Sequence, residues 1–353
     1  TGLELEGTIN DCIPLNLNLR CASQVLYSIK AFTAENPARL YKELLEISWE
    51  ELIDFTGYFS VSSTVDNETI TTPLFANLKV KDAIVDRIKE KKEIRPNTGP
   101  ETNKAVIHLY WKENDAEIFI DTSGETLAKH GYRKIPGKAP MLEALAAGTI
   151  MATGWDRKSP FVVPMCGSGT LAIEAALLAT DKTPGMFRMN YGFMHIIGYD
   201  EQVFFEERRK LKEKAKKEID FTIVATDHSE DAIDISIKNA KTAGVDHLID
   251  FSVCDFADTE VPEAAGIVIF NPEYGERLGV HTKLEATYKR IGDFMKQKCK
   301  GYRGYIFTGN PDLAKKIGLR ASRRIEFYNG KLDCRLLEYE LYEGSKREPK
   351  PES

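Results

Sequence analysis

The 353-residue sequence predicts an α/β protein, with a doubly wound, mostly parallel sheet from about residue 141 and a smaller mixed α+β domain before it. Three observations carry this. From residue 141 onward, short apolar runs alternate with helical periodicities. Two loop motifs, Pro164-Met-Cys-Gly-Ser-Gly-Thr170 and Asn271-Pro-Glu-Tyr274, follow the apolar runs Phe161-Val-Val163 and Ile267-Val-Ile-Phe270, where a buried strand would run out into a loop. Asn329-Gly330 separates two alternating runs, Arg323 to Tyr328 and Leu332 to Tyr342, a strong hairpin signal.

In the first 130 residues, Ala38 to Glu46 has helical spacing, with Asn36-Pro37 as its start signal. Tyr58 to Val65 alternates like a strand. Val80 to Lys91 is helical again, with Val80, Ile84, Val85 and Ile88 on one face. Ala105 to Trp111 and Glu117 to Asp121 are strands around a Lys-Glu-Asn-Asp turn. Residues 122–140, with three glycines, two prolines and four basic residues, are the expected linker.

In the second part, Leu142 to Ala152 reads as a buried, Ala-rich helix. Strand 161–163 leads to helix 169–180. Residues 181–220 form a longer excursion with a charged helix near 201–218. Strand 222–226 leads to helix 229–242, strand 249–254 is followed by strand 266–270, and helix 284–299 leads to strand 303–308. Pro311 opens a short helix before the closing hairpin. A parallel sheet closed by an antiparallel hairpin is the layout of Rossmann-like methyltransferases.

Composition narrows the class. Hydrophobic residues make up 42% and charged residues 29%, ordinary for a globular protein. No apolar stretch approaches the ~20 residues of a membrane span. Six cysteines, at 12, 21, 166, 254, 299 and 334, form no CxxC pair, so neither zinc nor a disulfide framework is expected, and a reducing cytoplasm fits best. The net charge of −6 argues against non-specific nucleic-acid binding. Two local runs are basic: Lys79 to Arg95 holds seven basic and four acidic residues, and Arg208 to Lys217 holds seven basic residues. Each reads as a solvated helix face with i,i+4 pairs or as a phosphate-contacting surface.

The chemistry sits in the loops. Gly167-Ser168-Gly169-Thr170 lies between strand and helix, where glycines let the backbone approach a ligand and the helix N–H groups can hold an anion. No Lys follows, so it is not a phosphate P-loop, and a bare βα turn is the bland alternative. Asp227 ends the next strand, beside His228, and can accept the hydroxyls of a ribose or cap the following helix; with Ser229 as the cap, Asp227 is free for the ribose. Asp255 ends the strand after that and can accept the exocyclic amine of an adenine, with Phe256 packing on its ring; an ordinary loop Asp is the alternative. Asn271 Oδ1 and the Pro272 carbonyl can accept hydrogen bonds from an amino group on a flat base, pulling its nitrogen toward sp³, while Tyr274 stacks on the base. A simple Asn-Pro turn is the alternative. Together these residues suggest methyl transfer from S-adenosylmethionine to an amino nitrogen. His108 and His195 read as core or surface residues. Cys166 has no basic partner nearby and reads as a small residue packing the loop. No metal is expected.

These residues resemble the THUMP-domain methyltransferases, most closely the bacterial 23S rRNA guanine-N2 methyltransferases often labelled N6-adenine-specific DNA methylases. Asp121 to Arg133 looks like the family's segment entering the catalytic domain. Ala139 to Ala147 resembles the helix that helps to hold the methionine end of the cofactor. Pro164 to Thr170 with Ile173-Glu174-Ala175 resembles the cofactor loop, and Asn271 to Gly279 the target-base loop. The resemblance implies a Rossmann-like S-adenosylmethionine-dependent methyltransferase domain at 131–344, preceded by a THUMP-like RNA-binding domain at 1–130 and followed by a polar tail, 345–353. It implies structured RNA, 23S rRNA, as partner, with Pro164, Cys166 to Thr170, Asp227, His228, Asp255 and Phe256 at the cofactor, and Asn271, Pro272 and Tyr274 at the target base. Val163 stands where the family usually has Asp, and Glu273 where it has a second Pro. The chain begins at Thr1, and Thr1 to Thr8 looks like the middle of the family's N-terminal pattern, so a preceding segment is expected. Two further readings stay open: an adenine-N6 methyltransferase on DNA or RNA, and a non-catalytic RNA-binding protein with a decayed methyltransferase fold.

Overall fold

The computed structural model describes residues 2–70, 72–135, 140–274 and 281–342. Residues 136–139 of the expected linker, residues 275–279 of the target loop and the tail from 345 lie outside them. The chain forms two compact units: Thr1–Lys129 with Thr183–Glu213, and His130–Lys182 with Lys214–Ser353.

The first unit holds α1 (Cys12–Asn18), β1 (Leu26–Thr33), α2 (Pro37–Leu45), β2 (Tyr58–Asp66), α3 (Pro73–Lys92), β3 (Asn97–Thr98), β4 (Ala105–Lys112) and β5 (Asp115–Asp121). Its sheet runs β1-β5-β4-β2-β3, with β2 parallel to β4 and to β3, and the other pairs antiparallel. Asn36 caps α2, its Oδ1 accepting from Ala38 and Arg39 N–H. Helix α3 begins seven residues before Val80, because Pro73 supplies an N1 residue. Its first turns expose Leu74, Phe75 and Leu78, so they add nothing to the periodic buried face. Strand β1 went unread because Ser28, Lys30 and Thr33 interrupt its apolar pattern; Lys30 pairs with Glu43 at 2.9 Å and Glu46 at 3.0 Å.

At the end of β5, Asp121 is 1% exposed. Its Oδ2 accepts from Gln24 Nε2 at 2.6 Å and its Oδ1 from the N–H groups of Ser123 and Gly124 at 3.0 and 3.3 Å. Burial dominates and pushes its pKa up to about 6. A carboxyl raised on folding favours the folded state below its unfolded pKa, and that contribution is lost as pH rises through the folded value. Asp121→Asn is therefore expected to raise the melting temperature at pH 8, with the advantage shrinking between pH 6 and pH 4. Thermal unfolding across that range measures it. The gain has an upper bound on the order of 3 kcal/mol.

The second unit begins with α4 (Glu143–Ala152), β6 (Phe161–Pro164) and α5 (Thr170–Ala179). The chain then leaves for the first unit, where α6 (Glu201–Lys214) packs within the excursion that the sequence reading placed in the second domain. Arg208 of α6 donates to the carbonyls of Gly185, Met186 and Arg188, while Arg209 and Lys210 pair with Glu213 and Glu207. These three charges are used within the fold, as on a solvated face. The second unit resumes with β7 (Ile223–Asp227), α7 (Glu230–Ala243), β8 (Ile249–Val253), β9 (Ile267–Phe270), α8 (His281–Lys298), β10 (Arg303–Thr308), α9 (Pro311–Lys315), β11 (Arg323–Asn329) and β12 (Leu332–Glu340).

Its sheet order is β11-β12-β10-β9-β6-β7-β8. Strands β10, β9, β6, β7 and β8 are parallel, and β12 is antiparallel to both neighbours. Strands β6, β7 and β9 are buried on both faces, which is why they read as unbroken apolar runs. From β6 the chain steps outward through β7 and β8, then returns to the other side of β6 with β9 and β10. The order reverses between β6 and β9, and ligands of open α/β sheets bind at such a point, outside the carboxyl ends of the strands.

Candidate active site

The carboxyl ends of β9, β6, β7 and β8 lie side by side, so the four loops named from sequence share one edge of the sheet. In the β6–α5 loop, Met165, Gly167 and Gly169 take positive φ of 62°, 58° and 80°. Met165 lacks the freedom of glycine, and such strain collects at functional sites. The two glycines serve different ends. A Cβ at Gly169 would lie 2.9 Å from Ser236 Cβ, so its bare backbone lets α7 close in. A Cβ at Gly167 would meet nothing within 4 Å, so that face is open to a ligand.

Asp227, at the tip of β7, is 8% exposed. It is not the free carboxylate expected from sequence. Oδ2 accepts from Gly167 N–H of the β6–α5 loop at 3.0 Å and Oδ1 from Ser229 N–H of the β7–α7 connection at 3.0 Å, because the parallel strands β6 and β7 end side by side. Each oxygen keeps a second lone pair for a hydroxyl. Ser229 caps α7, accepting from Ala232 N–H at 3.3 Å. His228 is exposed, with Nδ1 3.3 Å from Asp227 Oδ1. Burial, with the Asp227 charge adding, pushes the Cys166 thiol up to about 12, so it is no nucleophile at neutral pH.

After β8, Asp255 Oδ1 accepts from Ala257 N–H at 2.9 Å and from Arg290 Nη2 at 2.7 Å. Burial opposes ionisation, but these two donors more than offset it and hold the carboxyl below its usual range. Phe256 is 6% exposed, set edge-on among Phe270 and Phe294, with the Arg290 guanidinium 4.8 Å from its ring centre. It is part of the floor and not an open stacking face.

After β9, Pro272 is buried and Asn271 is half-buried. Asn271 Oδ1 is buried and has no hydrogen-bond partner among the described residues. Tyr274 is half-buried; its hydroxyl accepts from Asn329 Nδ2 at 3.4 Å, and burial pushes its pKa up. Val163 and Glu273, the two departures from the resembled pattern, are buried in β6 and exposed beside Pro272, respectively.

A family model described as an RMKL-like methyltransferase domain matches residues 130–338, and a THUMP-domain model matches residues 34–121. The chain belongs to the RMKL-like methyltransferase family. It is 36% identical, over 97% of its length, to the ribosomal RNA large subunit methyltransferase K/L of Syntrophotalea carbinolica, and covers 49% of that protein. The chain thus spans about half the length of the K/L methyltransferases it matches. It is similar to the crystal structure of SMU.472 complexed with S-adenosylhomocysteine, at 27% identity and a TM-score of 0.86, covering 96% of this chain and 89% of that one. It is also similar to a Listeria monocytogenes protein titled a predicted N6-adenine-specific DNA methylase, at 27% identity and a TM-score of 0.85, covering 95% of this chain and 87% of that one.

Further residues, without a motif of their own, hold the glycine loop and its surroundings in place. On one face of α7, Ser236 Oγ donates to Gly167 O at 2.8 Å and Asn239 Nδ2 donates to Ser168 O at 3.4 Å. The same amide accepts from the N–H groups of Lys134 and Ile135, tying the entry of the domain to the glycine loop. Arg133 donates to Met141 O at 2.6 Å and to Thr170 Oγ1 at 2.9 Å, with Glu143 3.4 Å from its Nε. Below them the fully buried His130 Nδ1 meets Glu174 Oε1 at 2.7 Å. The i,i+3 spacing of Ser236 and Asn239 on a helix predicted to flank the loop was the one available signal. Ser236→Ala is expected to weaken cofactor binding about five-fold, the worth of one hydrogen bond. Titration calorimetry with S-adenosylhomocysteine measures it, alongside a melting temperature lowered by only about 2 °C.

Proposed function

We propose that this chain is an S-adenosylmethionine-dependent methyltransferase that modifies the exocyclic N2 of a guanine in 23S rRNA. The buried Asn271 Oδ1, without a partner among the described residues, carries the reading. An orphaned buried acceptor costs free energy unless a ligand supplies its donor, and an amino group on a base is such a donor. The residues present also fit the cofactor: an open Gly167, Asp227 with spare lone pairs, and the N-terminus of α5 for a carboxylate.

When bound, the cofactor supplies an electrophilic methyl group on sulfur. Asn271 Oδ1 and the Pro272 carbonyl would accept from the amine, directing its lone pair toward that carbon. Transfer would exchange the carbon–sulfur bond for a nitrogen–carbon bond, and the surplus proton of the nitrogen would leave to water. Neither acceptor titrates, so no general base is required. The names of the K/L relatives and the THUMP match favour RNA, and rRNA within it, which would place the activity in the cytoplasm. Methyl transfer from isotope-labelled S-adenosylmethionine tests this: label should enter unmodified 23S rRNA and not duplex DNA. Label in DNA alone would favour an adenine-N6 enzyme. Cofactor and RNA binding without transfer to either would favour the decayed fold.

A further inference from the structure

Strand β12 pairs with β10 only as far as Arg335 opposite Thr308, whereas its pairing with β11 continues to Leu332 opposite Asn329. The hairpin tip therefore overhangs the carboxyl end of β10 by three residues of β12, about 10 Å. It projects on the side of the sheet edge where β9 delivers Asn271 to Tyr274.

The inner face of the tip is joined to that loop. Asn329 donates to the Tyr274 hydroxyl at 3.4 Å. A Cβ at Gly309, just past β10, would come within 3.0 Å of Leu332 Cδ2 and 3.2 Å of Tyr274 Cδ2, so both side chains close over the glycine. The outer part of the tip is open. Tyr328, on the opposite face, is 65% exposed, and Lys331 is exposed at the turn. The acidic groups on the Tyr328 face, Asp333 and Glu326, share Arg335, and the one negative charge left over is offset by Lys331 at the turn.

We propose that the β11–β12 tip holds the nucleotide flanking the target base, with Tyr328 as its stacking platform, Lys331 meeting its phosphate and Asn329 as a positioning residue for Tyr274. A single-stranded segment fits because an exposed aromatic ring stacks on any base, and a lysine beside it meets the backbone. The proposal rests on RNA being the substrate, not on which amine is methylated.

The test is equilibrium binding of the full chain to an unmodified 23S rRNA transcript. Tyr328→Ala should weaken RNA binding about ten-fold, the size of one lost stack, while affinity for S-adenosylhomocysteine and the melting temperature stay unchanged. Tyr328→Trp should restore it. Lys331→Ala should reduce the salt dependence of binding by about one phosphate contact. Unchanged RNA affinity in Tyr328→Ala, or failure of Trp to rescue a loss, would overturn the proposal. Binding is read without turnover. Weakened binding in a protein that transfers no methyl would therefore sustain the tip's role while the catalytic reading fails.

Discussion

Asn271→Ala should lower methyl transfer by at least 10²–10³-fold while leaving the fold as stable as before or more so. The activity loss follows from removing a preorganised partner of the group on which charge develops, for which deletions cost on that order. The stability effect has the opposite sign because Asn271 Oδ1 is buried without a partner among the described residues. An unsatisfied buried acceptor costs about 1–3 kcal/mol, and alanine removes it. Cofactor affinity should barely move, since the glycine loop and Asp227 do not depend on Asn271. A variant that loses activity and melts several degrees lower would mark Asn271 as a turn residue.

Asp227→Ala should do the reverse, weakening cofactor binding on the order of 10²-fold and lowering stability by about 2 kcal/mol. Its carboxylate holds two backbone N–H groups, Gly167 at 3.0 Å and Ser229 at 3.0 Å, at the start of two different connections. Truncation leaves both donors unmatched at a site that is largely buried, so the loop loses its tie to β7 as well as the ribose acceptor proposed for it. Asparagine restores at most one of the two acceptors, because its amide nitrogen would face an N–H. Calorimetry with S-adenosylhomocysteine and thermal unfolding separate the two variants: Asn271→Ala keeps affinity and melts no lower, whereas Asp227→Ala loses affinity and melting temperature together.

Much of the second unit could be read from sequence because its strands are buried on both faces. Phe161–Pro164 and Ile267–Phe270 stand as apolar runs between turn residues, and Asn329-Gly330 marks the hairpin. The placement of Gly167, Asp227, Asp255 and Asn271 on one edge followed from strand order. Contacts made across long separations were not legible. The excursion joins the first unit through Arg188, which donates to Ser123, Glu125 and Thr126 carbonyls, and nothing local announces this. Ser236 and Asn239 reach the glycine loop from 69 and 71 residues along the chain. Asp227 read as free because its partners are backbone N–H groups, which carry no sequence signature. Phe256 read as a stacking face because sequence does not show the Arg290 guanidinium and the two phenylalanines around it.

In the proposed reaction, Asn271 organises an amine-directed methyl transfer. The most direct measurement is nucleoside mass spectrometry of unmodified 23S rRNA after reaction with isotope-labelled S-adenosylmethionine, run beside Asn271→Ala. Label is expected in N2-methylguanosine with the native chain and none above background with the variant. Label in N6-methyladenosine, or equal label with Asn271→Ala, would contradict it.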